Sequence, residues 1–478
     1  MVSHTRRDFL KTLGLGAASF TMAGCMTGKK PSGVIAKDRP NVIFIMSDDH
    51  AAHAISCYGS RINETPNIDR LAGEGMRFNT CLGVNSLCSP SRAAILTGKY
   101  PHVNGVTTNG VRLDDNQQTF PMLLQKAGYA TAMIGKWHLG SRPKGFDYWN
   151  VLPGQGRYWD PEMIRMGRRY THPGYLTDII TDESIGWLKE RHRGRPFLLL
   201  CQYKAPHVPH RYPPKYSSMY VEDLPEPATF DDDYGSRSEA VAEECRYSKL
   251  INIKKGDLSG NEPPEGLAGD AYKKWVYQTF FKGYLRVVAA MDENIGRLLD
   301  YMDSSGLAEN TVVVYTSDNG FFLGDHGFYN KMWMYEQSLH MPLIVRYPGE
   351  IRPGLVNDDI VTNIDFAPTF LDYAGVAKPP DMQGDSLRPL LLGRRPDDWR
   401  RAMYCRYYGD YGVAPHYGVR TRRYKLIHFY STGEWELFDL EEDPNELSNR
   451  CGDPDYAGVV RELMLELSRL RSLYGDLE

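Results

Sequence analysis

What this 478-residue sequence lacks narrows it before any motif is read. Its eight cysteines, Cys25, Cys57, Cys81, Cys88, Cys201, Cys245, Cys405 and Cys451, are too few and too scattered for a disulfide scaffold or a zinc ribbon. It has no basic surplus: 56 Lys and Arg stand against 60 Asp and Glu, a net charge of −4, so nucleic acid is not an expected partner. It contains no internal repeat and no low-complexity tract. Long apolar runs are missing too, since the early stretch from Leu13 to Ala23 is only about a dozen residues and cannot cross roughly 30 Å of hydrocarbon. What remains is ordinary for a globular chain: 42% hydrophobic, 12% aromatic and 24% charged residues, with 45 Gly and 30 Pro. That balance excludes disordered, collagen-like and multi-span membrane chains. The length suggests two or three domains, or one large α/β domain with an appendage.

Residues 1–37 read as an address. The stretch His4-Thr5-Arg6-Arg7-Asp8-Phe9-Leu10-Lys11 sets paired arginines before a Gly- and Ala-rich apolar segment that ends in Met22-Ala23-Gly24-Cys25. The arginine pair resembles a twin-arginine export signal, which makes the twin-arginine translocase a partner. The small residues before Cys25 resemble a lipoprotein cleavage box, in which Cys25 would become the acylated first residue; the other reading is a plain signal cut nearby. Gly28 to Lys37 then forms a polar tether. The expected location is outside the cytoplasm, periplasmic or as an outer-membrane or cell-surface lipoprotein, touching the membrane only through a lipid.

In the mature chain, Asn41-Val42-Ile43-Phe44-Ile45-Met46, Phe197-Leu198-Leu199-Leu200 and Thr311-Val312-Val313-Val314-Tyr315-Thr316 are short continuous apolar runs. Such runs suit strands buried on both faces. Helical patterns precede the last two, over Thr177 to Arg191 and Trp275 to Met302. Strands alternating with helices predict an α/β fold with a doubly wound, mostly parallel sheet and helices on both faces. Ligands of such sheets sit beyond the carboxyl ends of the strands, here Asp48-Asp49, Lys204 to His210 and Asp318-Asn319. After about Asp365 the texture changes to short aromatic segments at Tyr404 to Tyr408, Tyr417 to Arg420, Tyr424 to Tyr430 and Trp435 to Asp439. These predict a small antiparallel sheet, closed by a helix from Val459 to Tyr474. The expected division is 38–365 for a catalytic domain and 366–478 for a C-terminal subdomain.

Cys88-Ser89-Pro90-Ser91-Arg92-Ala93-Ala94-Ile95-Leu96-Thr97-Gly98 carries the most chemistry. Pro90 suits a first helical turn and Thr97-Gly98 an end, so Cys88 falls at a helix N-terminus, where unpaired N–H groups favour an anion. Taken alone, Cys88 reads equally as a low-pKa thiolate nucleophile or as a buried structural cysteine.

The string Cys-X-Pro-Ser-Arg with its later Leu-Thr-Gly resembles the signature of the type I sulfatases, members of the alkaline-phosphatase-like superfamily. The resemblance implies that Cys88 is oxidised to formylglycine by a formylglycine-generating or radical maturase, and that Arg92 positions it. It implies one divalent ion, Ca²⁺ before Mg²⁺, held by Asp48, Asp49, Asp318 and Asn319 together with the modified Cys88; oxygen ligands of this kind suit a hard cation and not zinc. Gly135-Lys136-Trp137-His138 resembles the family's Gly-Lys-X-His, which assigns Lys136 to nucleophile and sulfate and His138 to the formylglycine diol. Lys204-Ala205-Pro206-His207-Val208-Pro209 resembles the Pro-His-X-Pro loop, which makes His207 the acid to the leaving oxygen, although the two histidine roles are exchangeable. Lys331 falls where the family has a sulfate-binding lysine.

The resemblance runs from Asn41 to Asp443-Pro444 and implies sulfate removal from a sulfated glycan. Segments around Pro153 to Gly156, Asn330 to Glu336 and His416 to Thr421 look most like exported bacterial enzymes acting on N-acetylglucosamine 6-sulfate. His416, expected on a loop of the small sheet, is the candidate sugar contact. Two other readings are a phosphonate monoester or phosphodiester hydrolase of the same superfamily, and a lipoprotein that binds sulfated glycans with Cys88 unconverted.

Overall fold

The segment Asn41–Asp48 sits in the middle of a large sheet because its side chains have apolar surroundings on both sides. Val42, Phe44 and Met46 enter one core, while Ile43 and Ile45 enter a second core on the opposite face. The computed structural model describes residues 39–245, 248–258 and 260–477. The arginine pair, Cys25 and the tether lie outside the described residues.

Strands β1 (Asn41–Asp48), β2 (Met76–Leu82), β3 (Ala130–Lys136), β4 (Tyr148–Leu152), β5 (Glu162–Arg165), β6 (Arg168–Thr171), β7 (Phe197–Pro206) and β8 (Thr311–Ser317) belong to this sheet. A two-strand ribbon follows, β9 (Phe322–Leu323) with β10 (Tyr329–Asn330). Then β11 (His340–Arg346), β12 (Leu355–Asn357) and β13 (Val361–Thr362) return to the large sheet. Its order is β12-β2-β11-β8-β1-β7-β3-β4-β5-β6, with β13 also on β2. The centre, β8-β1-β7-β3-β4, is parallel. The flanks β11 and β5-β6 run antiparallel. This is the mostly parallel, doubly wound sheet that the apolar runs predict.

Helices cover both faces, as expected. Leu176–Glu190 and Gly269–Ser304 lie on one, through residues such as Ile180, Leu188, Met291 and Leu298. Cys88–Thr97, Phe120–Lys126 and Phe366–Tyr373 lie on the other. Phe44 of β1 meets Phe366 and Phe370 edge-on at 5.9 and 5.5 Å; such pairs add about 0.5–1.5 kcal/mol each to simple burial. The helix after Asp365 therefore packs on the large sheet, and residues 39–477 belong to one unit.

The aromatic segments form β14 (Ala402–Tyr407), β15 (His416–Thr421), β16 (Tyr424–Phe429) and β17 (Glu434–Asp439), an antiparallel meander. Its inner face, with Cys405, Tyr407, Phe429 and Phe438, packs on Trp333, Met334 and Tyr335. Its outer face, with Val419, Leu426 and Leu437, lies under the helix Ala457–Tyr474. Of that helix's leucines, 463, 467 and 470 are buried, whereas Leu465 and Leu473 remain exposed. A closed set of charges ties the two sheets together. Arg420 donates to Glu336 at 3.2 and 3.0 Å, Lys425 reaches Glu336 at 2.8 Å and Glu446 at 2.5 Å, and the Glu336 N–H donates to Glu446 at 2.7 Å.

The seven described cysteines are all free thiols. Among the described residues no helix is long and apolar enough to cross a membrane.

Candidate active site

The carboxyl ends of β1, β3, β7 and β8 bring one polar cluster together. β1 delivers Asp48 and, just beyond it, Asp49; β8 leads into Asp318-Asn319; β3 ends in Lys136; β7 carries Lys204 and is followed by His207. The helix Cys88–Thr97 points its first residue into the same place. Leu87 before it is extended and gives no side-chain cap, all ten helical residues are buried, and Gly98 ends it at φ 65°. A Cβ on Gly135 would lie 1.9 Å from the Gln202 carbonyl oxygen, so β3 and β7 approach closely here only because residue 135 is glycine.

The acidic and basic members interlock. Arg92 donates from Nε to Asp318 at 2.9 Å, and from Nη1 to the Lys136 carbonyl at 2.7 Å and to Gln202 at 3.0 Å. Lys136 pairs with Asp48 and reaches Gln155 Oε1 at 2.5 Å. Lys331 Nζ sits 2.5 Å from Asp49 Oδ2, and His207 Nε2 lies 3.7 Å from the same oxygen. Asn319 Nδ2 donates to Asp318 at 2.9 Å and lies 3.9 Å from Cys88 Sγ. Ser89 Oγ donates to the His138 carbonyl at 2.6 Å and lies 3.4 Å from its Nδ1. Cys88, Arg92, Lys136, His138, His207, Lys331 and the two acidic pairs are therefore one constellation.

Burial sets the protonation. The Cys88 thiol is pushed up to about 12, chiefly by loss of water, which contradicts the low-pKa thiolate reading. Burial lowers His138 to about 2 and His207 well below its ordinary value, so both imidazoles are neutral. Asp318 is driven up to about 7 by burial and then by Asp48. Burial would raise Asp48 too, but the charges of Lys136 first and of Arg92 hold it well below the carboxylate range. Backbone strain gathers at the same spot, since Asp49, His138, Asn330 and Met332 all have positive φ, of 66°, 55°, 84° and 92°.

The donor set fits a hard divalent cation. Asp48 Oδ1 and Asn319 Oδ1 are buried without a hydrogen-bond partner, three carboxylates crowd one another, and Asp48, Asp49, Cys88 and His207 bring ligand atoms within 4.8 Å of one another.

His416 is a correction. It begins β15 rather than lying on a loop, it has no exposed surface, and its ring stacks on Trp333 at 6.0 Å with Nδ1 2.7 Å from the Ala414 carbonyl. Covered by Trp333, Tyr407 and Phe429, it cannot meet a sugar in this arrangement. The cavity over the cluster, about 210 Å³, is instead lined by residues the sequence reading did not assign, among them Asn109, Gln155, Tyr411 and Lys254. Lys204 was also missed: its Nζ donates to the Val208 carbonyl at 3.0 Å, lies 3.5 Å from His207 Nδ1, and burial lowers it to about 7.

Fold and site together define a hydrolase that places a buried cationic cradle and a divalent-ion site around a residue at a helix N-terminus. Residues 40–376 match the sulfatase family, and residues 324–473 match the family described as N-sulphoglucosamine sulphohydrolase, C-terminal. The chain belongs to the sulfatase family. It is 42% identical to the N-acetylglucosamine-6-O-sulfatase of Bacteroides thetaiotaomicron, over 97% of this chain and 91% of that one. It is 28% identical to an arylsulfatase of Clostridium perfringens, over 87% and 91%. A solved structure in complex with its substrate D-glucosamine-2-N,6-O-disulfate superposes with a TM-score of 0.89 at 44% identity, covering 92% of this chain and 99% of that one. The phosphonate monoester hydrolase of Agrobacterium radiobacter, at 24% identity and a TM-score of 0.74 over 91% and 96%, shares the fold.

Proposed function

We propose that this sulfatase removes the 6-O-sulfate of a glucosamine or N-acetylglucosamine unit in a sulfated glycan. The observation that supports this reading most is the match along almost the whole chain, at 42% identity, to an enzyme named for that reaction. In this reading Cys88 is converted to formylglycine, whose hydrated aldehyde supplies a diol nucleophile. Asp48, Asp49, Asp318 and Asn319 would hold Ca²⁺, which neutralises charge at the sulfate.

A sulfate monoester is an anion, so the chain must gather positive charge where the ester lies. Arg92 is fixed by three hydrogen bonds and sets the ends of β3 and β7 relative to Asp318. Lys136 and Lys331, now resting on Asp48 and Asp49, provide the ammonium groups for the sulfate oxygens. His207 lines the cavity with Nδ1 2.7 Å from the Val208 carbonyl, which makes Nδ1 the donor and leaves Nε2 bare in the neutral ring, so the proton for the departing sugar oxygen is one that Nε2 must first take up, making the ring an imidazolium. His138, beside Ser89, holds the second proton-transfer position.

The address in residues 1–37 supports twin-arginine export and lipidation at Cys25, and so a periplasmic or surface location. Fractionation of cells expressing an Arg6→Lys/Arg7→Lys chain and a Cys25→Ala chain tests it: retention of the first in the cytoplasm and release of the second from membranes are expected.

The functional test is a panel of mono- and disaccharides sulfated at known positions, run beside an aryl phosphodiester, with the mass of the Cys88 peptide measured on the same sample. Preferential hydrolysis of the 6-O-sulfates by protein with an aldehyde at position 88 is expected. A strong preference for phosphorus, or turnover with Cys88 as an unmodified thiol, overturns the reading.

A further inference from the structure

The catalytic cavity has a neighbour. A second cavity of about 600 Å³, a size typical of ligand sites, begins on the other side of Asn109, which lines both. The loop 153–155 divides them: Gln155 lines the catalytic side, where it holds Lys136, whereas Pro153 and Gly154 line the second side. His138 opens onto the second cavity and not onto the first.

Its lining differs in chemistry from that of the catalytic cavity. Trp137, Trp149 and Ile164 supply an apolar floor, Arg142 and Arg169 supply positive charge, and no carboxylate lines it. The catalytic cavity, in contrast, includes Asp49 and Asp257. Arg169 is matched by Glu162 at 2.5 Å. Arg142 is exposed, rests 5.7 Å over the Trp149 ring and forms no ion pair among the described residues. An exposed guanidinium with no ion-pair partner among the described residues, at a cavity with apolar lining, offers an anionic pyranose a group for its charge.

We propose that this cavity is a subsite for a neighbouring anionic sugar of the same glycan, its carboxylate or sulfate on Arg142. The proposal rests on the glycan-sulfatase reading and extends it from one sugar to two. The active site would then select for the charge of the residue next to the one it desulfates, with Asn109 as the shared wall.

The experiment measures kcat/KM of the mature enzyme and of Arg142→Ala on a 6-sulfated monosaccharide and on 6-sulfated disaccharides whose neighbouring sugar is neutral, carboxylated or sulfated. The wild type should prefer the charged neighbours over the neutral one by roughly tenfold, the size of one charge-assisted hydrogen bond. The two charged arms show which anion is read. Arg142→Ala should lose that preference and keep its rate on the monosaccharide. Equal wild-type rates on neutral and charged disaccharides, or an Arg142→Ala loss equal on all four substrates, would overturn the proposal. Failure of the wild type on every 6-sulfate would sink the glycan reading instead. In that event, calorimetry with an unsulfated uronate-containing disaccharide still reads the second cavity: binding that Arg142→Ala removes supports it, and no binding refutes it.

Discussion

Two buried clusters of charge lie in this fold, and they are built to opposite rules. The set that joins the sheets, Glu336, Arg420, Lys425 and Glu446, balances two acids with two bases, and none of its side-chain polar atoms is left without a partner. The set at the ends of β1 and β8 leaves Asp48 Oδ1, Asn319 Oδ1 and the Arg92 Nη2 atom buried without a hydrogen-bond partner, and holds Asp49 and His138 at positive φ. A buried charge cluster that is complete serves the fold, and one that is incomplete awaits a ligand. Burial does not tell them apart, and neither does positive φ, since Glu446 stands at 54°; the orphaned atoms do.

That contrast can be broken experimentally. Cys88→Ala should abolish turnover, by at least about 10⁴-fold for a lost nucleophile, while thermal unfolding stays where it was; residual turnover near wild type would remove Cys88 from the chemistry. Lys425→Met should do the reverse. It leaves Glu446 buried without its cation and should cost about 3–5 kcal/mol of stability, read by denaturant unfolding, with kcat per folded molecule unchanged. If instead kcat fell and stability held, the two clusters would have been assigned the wrong way round.

Calcium should sharpen the difference. The ion is expected to raise the melting temperature of wild type, by the equivalent of about 2.7 kcal/mol at a hundredfold excess over its dissociation constant, and to leave Asp318→Asn unmoved. An equal shift in both proteins would place the ion elsewhere. The smallest effect concerns His416, which burial lowers to about 4. Between its ordinary value and that one the unfolded chain binds the extra proton, so its contribution is fully present above about pH 6.5 and is lost as the pH falls toward 4. His416→Phe should flatten that acid limb of the stability curve and leave KM within about twofold, since the ring lies in a core and not in the cavity; a large rise in KM would return it to the substrate site.

Much of this was legible in the sequence because strands ending abruptly in Asp-Asp or Asp-Asn advertise both the sheet and its carboxyl edge. The short strand Ala130–Lys136 was less visible, its small residues giving no strong apolar run. Gln155, Asn109 and Tyr411 act through loops, and a loop residue's neighbours are set by tertiary packing: the Asn109 amide donates to the Tyr411 hydroxyl across 302 positions at 3.2 Å. His416 had no local signal of burial. It alternates with Gly418 and Arg420, the polar set of its strand, while Tyr417 and Val419 form the apolar set, so the period of two points it outward and only the tertiary packing of Trp333 on that face buries it.

The wholly buried helix Cys88–Thr97 carries a consequence of timing. Cys88 has no exposed surface, so no second protein can grip it once the sheet has closed. The proposed conversion to formylglycine would therefore belong to the interval between synthesis and folding. A chain that crossed a membrane already folded would have to carry the finished residue with it, which makes residue 88 a record of what the chain met before it folded.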